Sequence, residues 1–392
     1  MNAPAALGQL LPLEAYTSDE WFRAEQAKLF GKAWVFAGMA EDLRAPGDYQ
    51  CVDSGASSLI LLRDRQGELR AFHNVCRHRG ARLLEGRGNV GSAITCFYHN
   101  WTYELSGALT GVTLGRDQFP GIDKSCYGLR RAQVGRWKNL VFVNPDPAAE
   151  SFDDWLAGVP EARTLNEPGQ LALHDPERLV EVSSVRYRVH ANWKIVVENF
   201  IDGYHLPLLH KVSLGDGDFM RQKWAPRGRH VTFYRPLKPG ISYNDQPLPV
   251  IEGIPPTYGL AYYWLFPSVA ITETATFWTT FHVIPLSARD SIVHSRLRAM
   301  PEALARKGSR QVAVNQALPR HVISAEGPYA EMRLDLSETH PLQSNNVMAE
   351  DIYACEAVQR GMDSGSCEIG PLSKWESTLT FFQKHVLDYM GA

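Results

Sequence analysis

The chain has 392 residues, 44% of them hydrophobic and 21% charged, with a formal net charge of −3 at pH 7. That length holds two or three domains with cores of their own, and this charge, without a long basic stripe, argues against nucleic acid as a partner. No segment approaches the roughly 18 uninterrupted apolar residues of a membrane span, so no membrane partner is expected. The opening "MNAPAALGQLLPLEAY" lacks a basic start and a sustained apolar run, so it is a poor signal peptide. The six cysteines then read as reduced or metal-bound thiols, and the expected location is cytoplasmic.

Ser18 is a good N-cap for an opening helix through "DEWFRAEQAKLFGKAW". From Trp34 to Pro147 the chain turns to short β-rich runs punctuated by Gly, Pro and Asp: "WVFAGM", "SLILLRD", "LRAFHNV", "AITCFYH" and "LVFVNPD". The Pro/Asp-rich "NPDPAAESFDDW" then marks a boundary. These signals predict an N-terminal helical segment over 1–33, a small all-β domain over 34–150 and a second domain over 151–392. In the last, the strand-like runs are "VSSVRYRVH", "HVTFYRP", "LAYYWLF", "VAITET", "FWTTFHVIPL" and "SIVHSRLRAM". Helical patterns fall at 192–205, near 302–316, at 347–361 and at 373–389. Strands in series flanked by helices predict an α+β arrangement, an antiparallel sheet around a long helix.

The β domain carries Cys76 and His78 in "CRHRG" and Cys96 and His99 in "CFYHNW", a C-x-H, seventeen-residue, C-x2-H pattern. Structural zinc prefers loops of one ligand type. Here each loop supplies one Cys and one His, which suits a Rieske [2Fe–2S] centre with both thiolates on one iron and both imidazoles on the other. Neutral imidazoles remove negative charge and make the cluster easier to reduce, as an electron relay requires. Gly80 and Gly107 suit tight turns, Asn100 suits a positive φ, and Trp101 with Tyr103 can cover the cluster. "GRGNVG" at 86–91 matches G-x-G-x-x-G, but a dinucleotide fingerprint must follow a strand and open a helix. Lying between metal ligands, it is expected to be a hairpin loop, with no NAD or flavin site.

The second cluster is "VVENFIDGYHLPLLH", 196–210. Asp202 and His205 are three apart and share a helix face. Pro207 disfavours helix at Leu206, so the helix should end near His205 and let His210 swing back to the same point. Two histidines and a carboxylate make the facial triad of mononuclear non-haem iron, with positions open for O2. Asp351 in "AEDIYACEAVQRG" is the best third ligand, and Glu350 and Glu356 are rivals.

With both clusters in view, the chain resembles the α (oxygenase) subunit of the Rieske non-haem iron oxygenases over nearly its whole length. The motif C-x-H…C-x2-H matches Cys76, His78, Cys96 and His99, and "NWKIVVENFIDGYHLPLLH" matches the family's iron helix. Asp351 matches its late carboxylate, in the form D-x4-E-x2-Q. The resemblance implies a helix-grip (START-like) catalytic domain beside the Rieske domain, with Fe(II) on His205, His210 and Asp351. It implies that Asp202 bridges a cluster histidine of a neighbouring subunit and an iron-ligand histidine. Asn199 matches a polar residue near the iron, and Tyr204 is placed behind the ligands. A homotrimer is implied, because the two centres of one subunit lie too far apart for fast electron transfer. So is a separate flavin reductase, with or without a ferredoxin, that delivers electrons from NAD(P)H.

Three functions compete. One is homotrimeric monooxygenation, by hydroxylation or oxidative demethylation, of a methylated amine or betaine. Another is ring hydroxylation or cis-dihydroxylation of an aromatic acid. The third is a ligand-binding protein with a structural metal. The full set of ligands disfavours the last, and the length resembles monooxygenase members. Tyr262, Trp264 and Phe266 share a strand face, with Trp278 in the next long run, and aromatics of that kind can stack on a ring or cage a cation. His73, His282 and His294 read as structural, and Cys51, Cys126, Cys355 and Cys367 as ordinary thiols. Arg77, Arg79 and Arg82 offer either a docking face for the reductase or a solvated surface.

Overall fold

The computed structural model describes residues 8–160, 178–246, 248–305, 322–324, 331–332 and 340–391. The chain divides into two compact units, Ala24–Trp155 and the combination of Met1–Arg23 with Leu156–Ala392. Among the described residues no helix is long and apolar enough to cross a membrane.

After a short helix α1 (Glu14–Thr17), Ser18 caps α2 (Asp19–Glu25), its Oγ accepting from the Glu20 and Trp21 amides at 3.2 Å. The chain continues through a π-turn at Gln26–Phe30. That turn belongs to the β unit because Ser54 and Asn144 donate to the carbonyls of Phe30 and Lys32, at 2.7 and 2.9 Å. The compact unit that holds the predicted 34–150 β domain thus includes this turn and spans Ala24–Trp155.

Its strands are β1 (Val35–Met39), β2 (Asp48–Ser54), β3 (Ser57–Arg63), β4 (Leu69–His73), β5 (Arg87–Asn89), β6 (Ala93–Thr95), β7 (Thr102–Glu104), β8 (Leu109–Gly111), β9 (Arg131–Trp137) and β10 (Leu140–Asn144). Seven form an antiparallel sheet in the order β1-β10-β9-β4-β3-β2-β5, and β6-β7-β8 form a separate meander. The "GRGNVG" segment is a strand, which corrects the expected hairpin loop. Arg87–Asn89 extend the sheet edge by pairing with Asp48–Gln50, and Gly88 lets the Tyr49 ring lie against the backbone.

The second unit is built on a nine-stranded sheet, β12-β13-β14-β15-β16-β17-β11-β19-β18. Its strands are β11 (Val180–Val189), β12 (Lys223–Arg227), β13 (His230–Arg235), β14 (Leu260–Leu265), β15 (Val269–Glu273), β16 (Trp278–Ser287), β17 (Asp290–Ala299), β18 (Val322–Ser324) and β19 (Glu331–Met332). All neighbours are antiparallel except β11 and β19. The curled sheet carries α5 (Trp193–Ile201), α6 (Leu206–Leu209), α7 (Val347–Asp363) and α8 (Ser377–Met390); two short helices, α3 (Gly115–Gln118) and α4 (Phe152–Leu156), precede them. Phe382 of α8 is the hub, its ring 5.8 Å from Trp193, 6.4 Å from Trp264 and 6.1 Å from Phe266. Most of the helical pattern near 302–316 lies outside the described residues.

Candidate metal centres and their cavity

The two cluster loops repeat one design. The Cys76 amide donates to the Ala81 carbonyl and the Cys96 amide to that of Trp101, at 2.8 and 2.9 Å. In each, the residue four after the cysteine returns a bond to the cysteine carbonyl and holds a positive φ, 76° at Gly80 and 55° at Asn100. Asn tolerates that conformation, so its departure from Gly leaves the turn intact. Gly107 is required differently: at φ 87° a side chain there would collide with the Phe72 ring.

The turns bury both cysteines, at 3% and 1% exposure, and leave both imidazoles half-buried. His78 and His99 have ring centroids 4.5 Å apart, and Trp101 stacks on His78 at 4.9 Å. Tyr103 places its hydroxyl 3.2 Å from Cys76 Sγ. Two features fit an iron–sulfur group. His78 Nδ1 is buried with no hydrogen-bond partner, a lone pair awaiting a metal. Burial also pushes the Cys76 thiol up, so its thiolate needs the charge of a metal to persist. Arg77 and Arg79 are already engaged, with Gly128 and Tyr98 respectively.

The second centre sits where α5 stops. Asn192 caps its start, accepting from the Lys194 amide. The helix ends at Ile201, earlier than the predicted His205, and Asp202 is already extended with φ −76° and ψ 122°. Pro207 therefore opens the next helix, α6, where its fixed φ is pre-organised and its missing N–H costs nothing. Asp202 and His205 thus meet across a loop and not along a helix face. Asp202 Oδ1 accepts the Tyr204 amide at 2.5 Å, and Oδ2 lies 2.9 Å from His205 Nδ1. The Tyr204 ring is exposed, so this residue contributes its main chain instead of its phenol.

His205, His210 and Asp351 each turn one ligand atom to a common point, all within 4.8 Å of one another. His210 Nε2 is 2.9 Å, and His205 Nε2 3.7 Å, from Asp351 Oδ1. Behind them, Asp202 takes Nδ1 of His205 and Glu350 takes Nδ1 of His210 at 2.7 Å. Carboxylates on both Nδ1 atoms fix the tautomer that aims Nε2 at a metal. Burial works against charge on His210, but Asp351 and Glu350 outweigh it and raise its pKa. Burial likewise opposes charge on Asp351, yet His210, His205 and an Asn199 hydrogen bond hold its pKa below the ordinary value. The set could hold a metal cation. The rival Glu356 accepts the His190 amide instead.

Glu198 turns away from this point. Its Oε1 accepts from the Tyr16 hydroxyl at 2.7 Å and from Gln383 Nε2 at 2.8 Å, while Gln383 Oε1 takes the Leu10 amide at 2.7 Å.

The triad opens on a largely apolar cavity of about 150 Å³. One wall is a sheet face read at period two: Val231, Phe233 and Arg235 of β13, Leu260 and Tyr262 of β14, Thr272 of β15 and Phe281 of β16. Phe200, Phe277 and Met348 complete the enclosure near Asn199 and Asp351. Of the expected aromatic face only Tyr262 reaches the cavity, since Trp264 and Phe266 pack against Phe382. Trp278 is buried outside the lining, beside the lining residue Phe277. His294 pairs with Ser184 at 3.0 Å and His73 with the Pro145 carbonyl at 3.2 Å, both away from the lining.

Glu350, Arg235, Phe233 and Phe281 are the residues that sequence reasoning missed as contributors in these positions. Alternation in "HVTFYR" could have joined Arg235 to Phe233, but not told which face is lined.

Comparison with known proteins places both units in known families. Residues 33–118 match the Rieske [2Fe-2S] domain, and residues 176–392 match the ring hydroxylating alpha subunit (catalytic domain). The chain is 26% identical to the chloroplastic choline monooxygenase of Amaranthus tricolor, over 94% of this chain and 75% of that protein. It is 34% identical to the glycine betaine monooxygenase oxygenase subunit of Chromohalobacter salexigens, over 50% of this chain and 42% of the relative. Its fold matches a quaternary ammonium Rieske monooxygenase crystallised with L-carnitine, with a TM-score of 0.73 at 23% identity, covering 98% of this chain and 96% of the other. The chain thus belongs to the ring-hydroxylating oxygenase α subunits, oxidoreductases that incorporate O2 with a Rieske [2Fe–2S] cluster and a mononuclear iron.

Proposed function

We propose that this chain is the terminal oxygenase of a multicomponent monooxygenase that hydroxylates an N-methyl group of a small quaternary ammonium compound. The observation that carries the reading is the His205/His210/Asp351 triad opening directly on an aromatic-walled cavity. In it, Cys76, His78, Cys96 and His99 hold the cluster, and the triad holds the iron. Iron held there supplies the O2-activating chemistry.

The protein's own contribution is to place and enclose the substrate. Phe200, Phe233, Tyr262, Phe277 and Phe281 exclude water and offer ring faces to a cationic methyl group. The cavity volume lies below the ~300 Å³ at which drug-sized pockets begin, which favours a compact substrate. The names of the relatives, acting on choline and glycine betaine, support the ammonium class. Overall, the substrate's N-methyl group, O2, two electrons and two protons give the N-hydroxymethyl product and water. That product then splits into the amine, formaldehyde and a proton.

The electrons come from NAD(P)H through a separate flavin reductase, with or without a ferredoxin. Asp202 holds His205 with one oxygen, and this supports a bridging role toward a cluster histidine of a neighbouring copy in a homotrimer. The test is substrate-dependent O2 uptake and formaldehyde release with a generic reductase, across methylated amines and aromatic acids. Formaldehyde stoichiometric with O2 is expected. Uptake with aromatic acids alone would overturn the ammonium assignment.

A further inference from the structure

Arg235 ends β13 and lines the same cavity as the triad, yet it is only 6% exposed. Among the described residues, no hydrogen bond or ion pair engages its guanidinium. The Phe219 ring lies 4.8 Å from it, and Gly217 clears the space beside it, since a Cβ there would overlap Nε. Burial draws its pKa down to about 10 against the opposing pull of Tyr243 and Asp216, so it is cationic at neutral pH.

Buried arginines are normally satisfied by several acceptors, because an unpaired buried charge is strongly unfavourable. Here the side chain lines a cavity and, among the described residues, no acceptor meets its guanidinium. A second unpartnered donor stands beside it. Arg235 pairs with Leu260 and Phe233 with Tyr262, which puts Tyr262 one pleat further along the same wall. Its hydroxyl is buried without a hydrogen-bond partner. Burial, with the nearby charge of Asp351, keeps that phenol protonated and so a donor.

We infer that Arg235, with Tyr262 beside it, is the carboxylate anchor of the substrate site, so the substrate is a betaine carrying both a methylated ammonium and a carboxylate. The planar guanidinium matches a carboxylate through two parallel hydrogen bonds. An amino alcohol such as choline offers one neutral hydroxyl acceptor and no negative charge, so it leaves the guanidinium charge unmatched. This inference rests on the proposed ammonium reading for the cationic half of the ligand, while the anionic half rests on Arg235 and Tyr262.

The experiment uses the full chain with both metal groups and a generic reductase. It compares KM and kcat for glycine betaine, its carboxamide and choline, and for benzoate and benzamide. Wild type is expected to favour glycine betaine over the carboxamide by about 30-fold or more in KM, as for a buried charge pair. Arg235→Gln should collapse that preference by raising the betaine KM far more than the carboxamide KM, with the Rieske spectrum unchanged. Arg235→Lys should recover part of it. Equal KM for acid and amide in wild type overturns the anchor, as does an Arg235→Gln variant that slows both alike, which is the mark of a packing role. If only benzoate is consumed, and its advantage over benzamide disappears in Arg235→Gln, the anchor stands and the ammonium reading falls.

Discussion

Glu350 grips His210 from behind, its Oε2 2.7 Å from Nδ1 and shared with the Ser213 hydroxyl at 2.5 Å. The acid fixes the ring's orientation and its tautomer, so it should matter to metal loading without being a ligand. Glu350→Gln is expected to weaken iron binding by about 10- to 100-fold. Iron content after dialysis against a weak chelator, compared with wild type, checks this.

Asp202 has the corresponding place behind His205, on a loop with a side chain 15% exposed. Asp202→Asn should keep iron and the Rieske absorption while turnover falls at least about tenfold, the scale for partners of metal-bound histidines. Full turnover in that variant would remove the bridging role.

His205→Ala and His210→Ala should each lose the mononuclear iron and keep the Rieske spectrum. Cys96→Ser should do the reverse, bleaching the cluster. Metal analysis alongside visible absorption separates the two centres, and loss of the Rieske bands in the histidine variants would mean the sites are wrongly divided.

Burial pushes Glu198 up to about 7 from an ordinary 4.5, against the pull of Gln383, Tyr16 and Lys194. Between those values the folded chain binds more protons than the unfolded one, so stability falls as pH rises through the window. The loss is at most about 3 kcal/mol. Glu198→Gln, which keeps an acceptor for Tyr16 and Gln383, should flatten that slope. Urea unfolding midpoints of both proteins from pH 5 to 8 give the comparison.

The candidate cluster residues were legible because each pair sits in one turn of a few residues, where spacing alone brings the side chains together. The histidine pair was legible for the same reason, although the break between them was misplaced. Pro207 is as good an opener of a helix as a terminator, and only the extended Asp202 shows which role it took. Asp351 lies 141 residues from His210, so motif resemblance placed it where periodicity left Glu350 and Glu356 open. Consecutive residues on a helix point about 100° apart. Asp351 and Glu350 can nevertheless both serve, because the His210 ring spans the gap between them. The cavity wall was least legible. Its members come from four strands, and even residues of one strand face divide: Tyr262 reaches the cavity, while Trp264, two residues further along, packs against Phe382.

Leu10, Tyr16 and Gln383 clasp the reverse side of the helix that leads into the iron ligands. Leu10 and Tyr16 from the first described segment and Gln383 from the last helix are in this way fastened to one scaffold. Deleting the chain through Tyr16, or from Gln383 onward, would slacken the mount of the candidate iron centre without touching any of its residues.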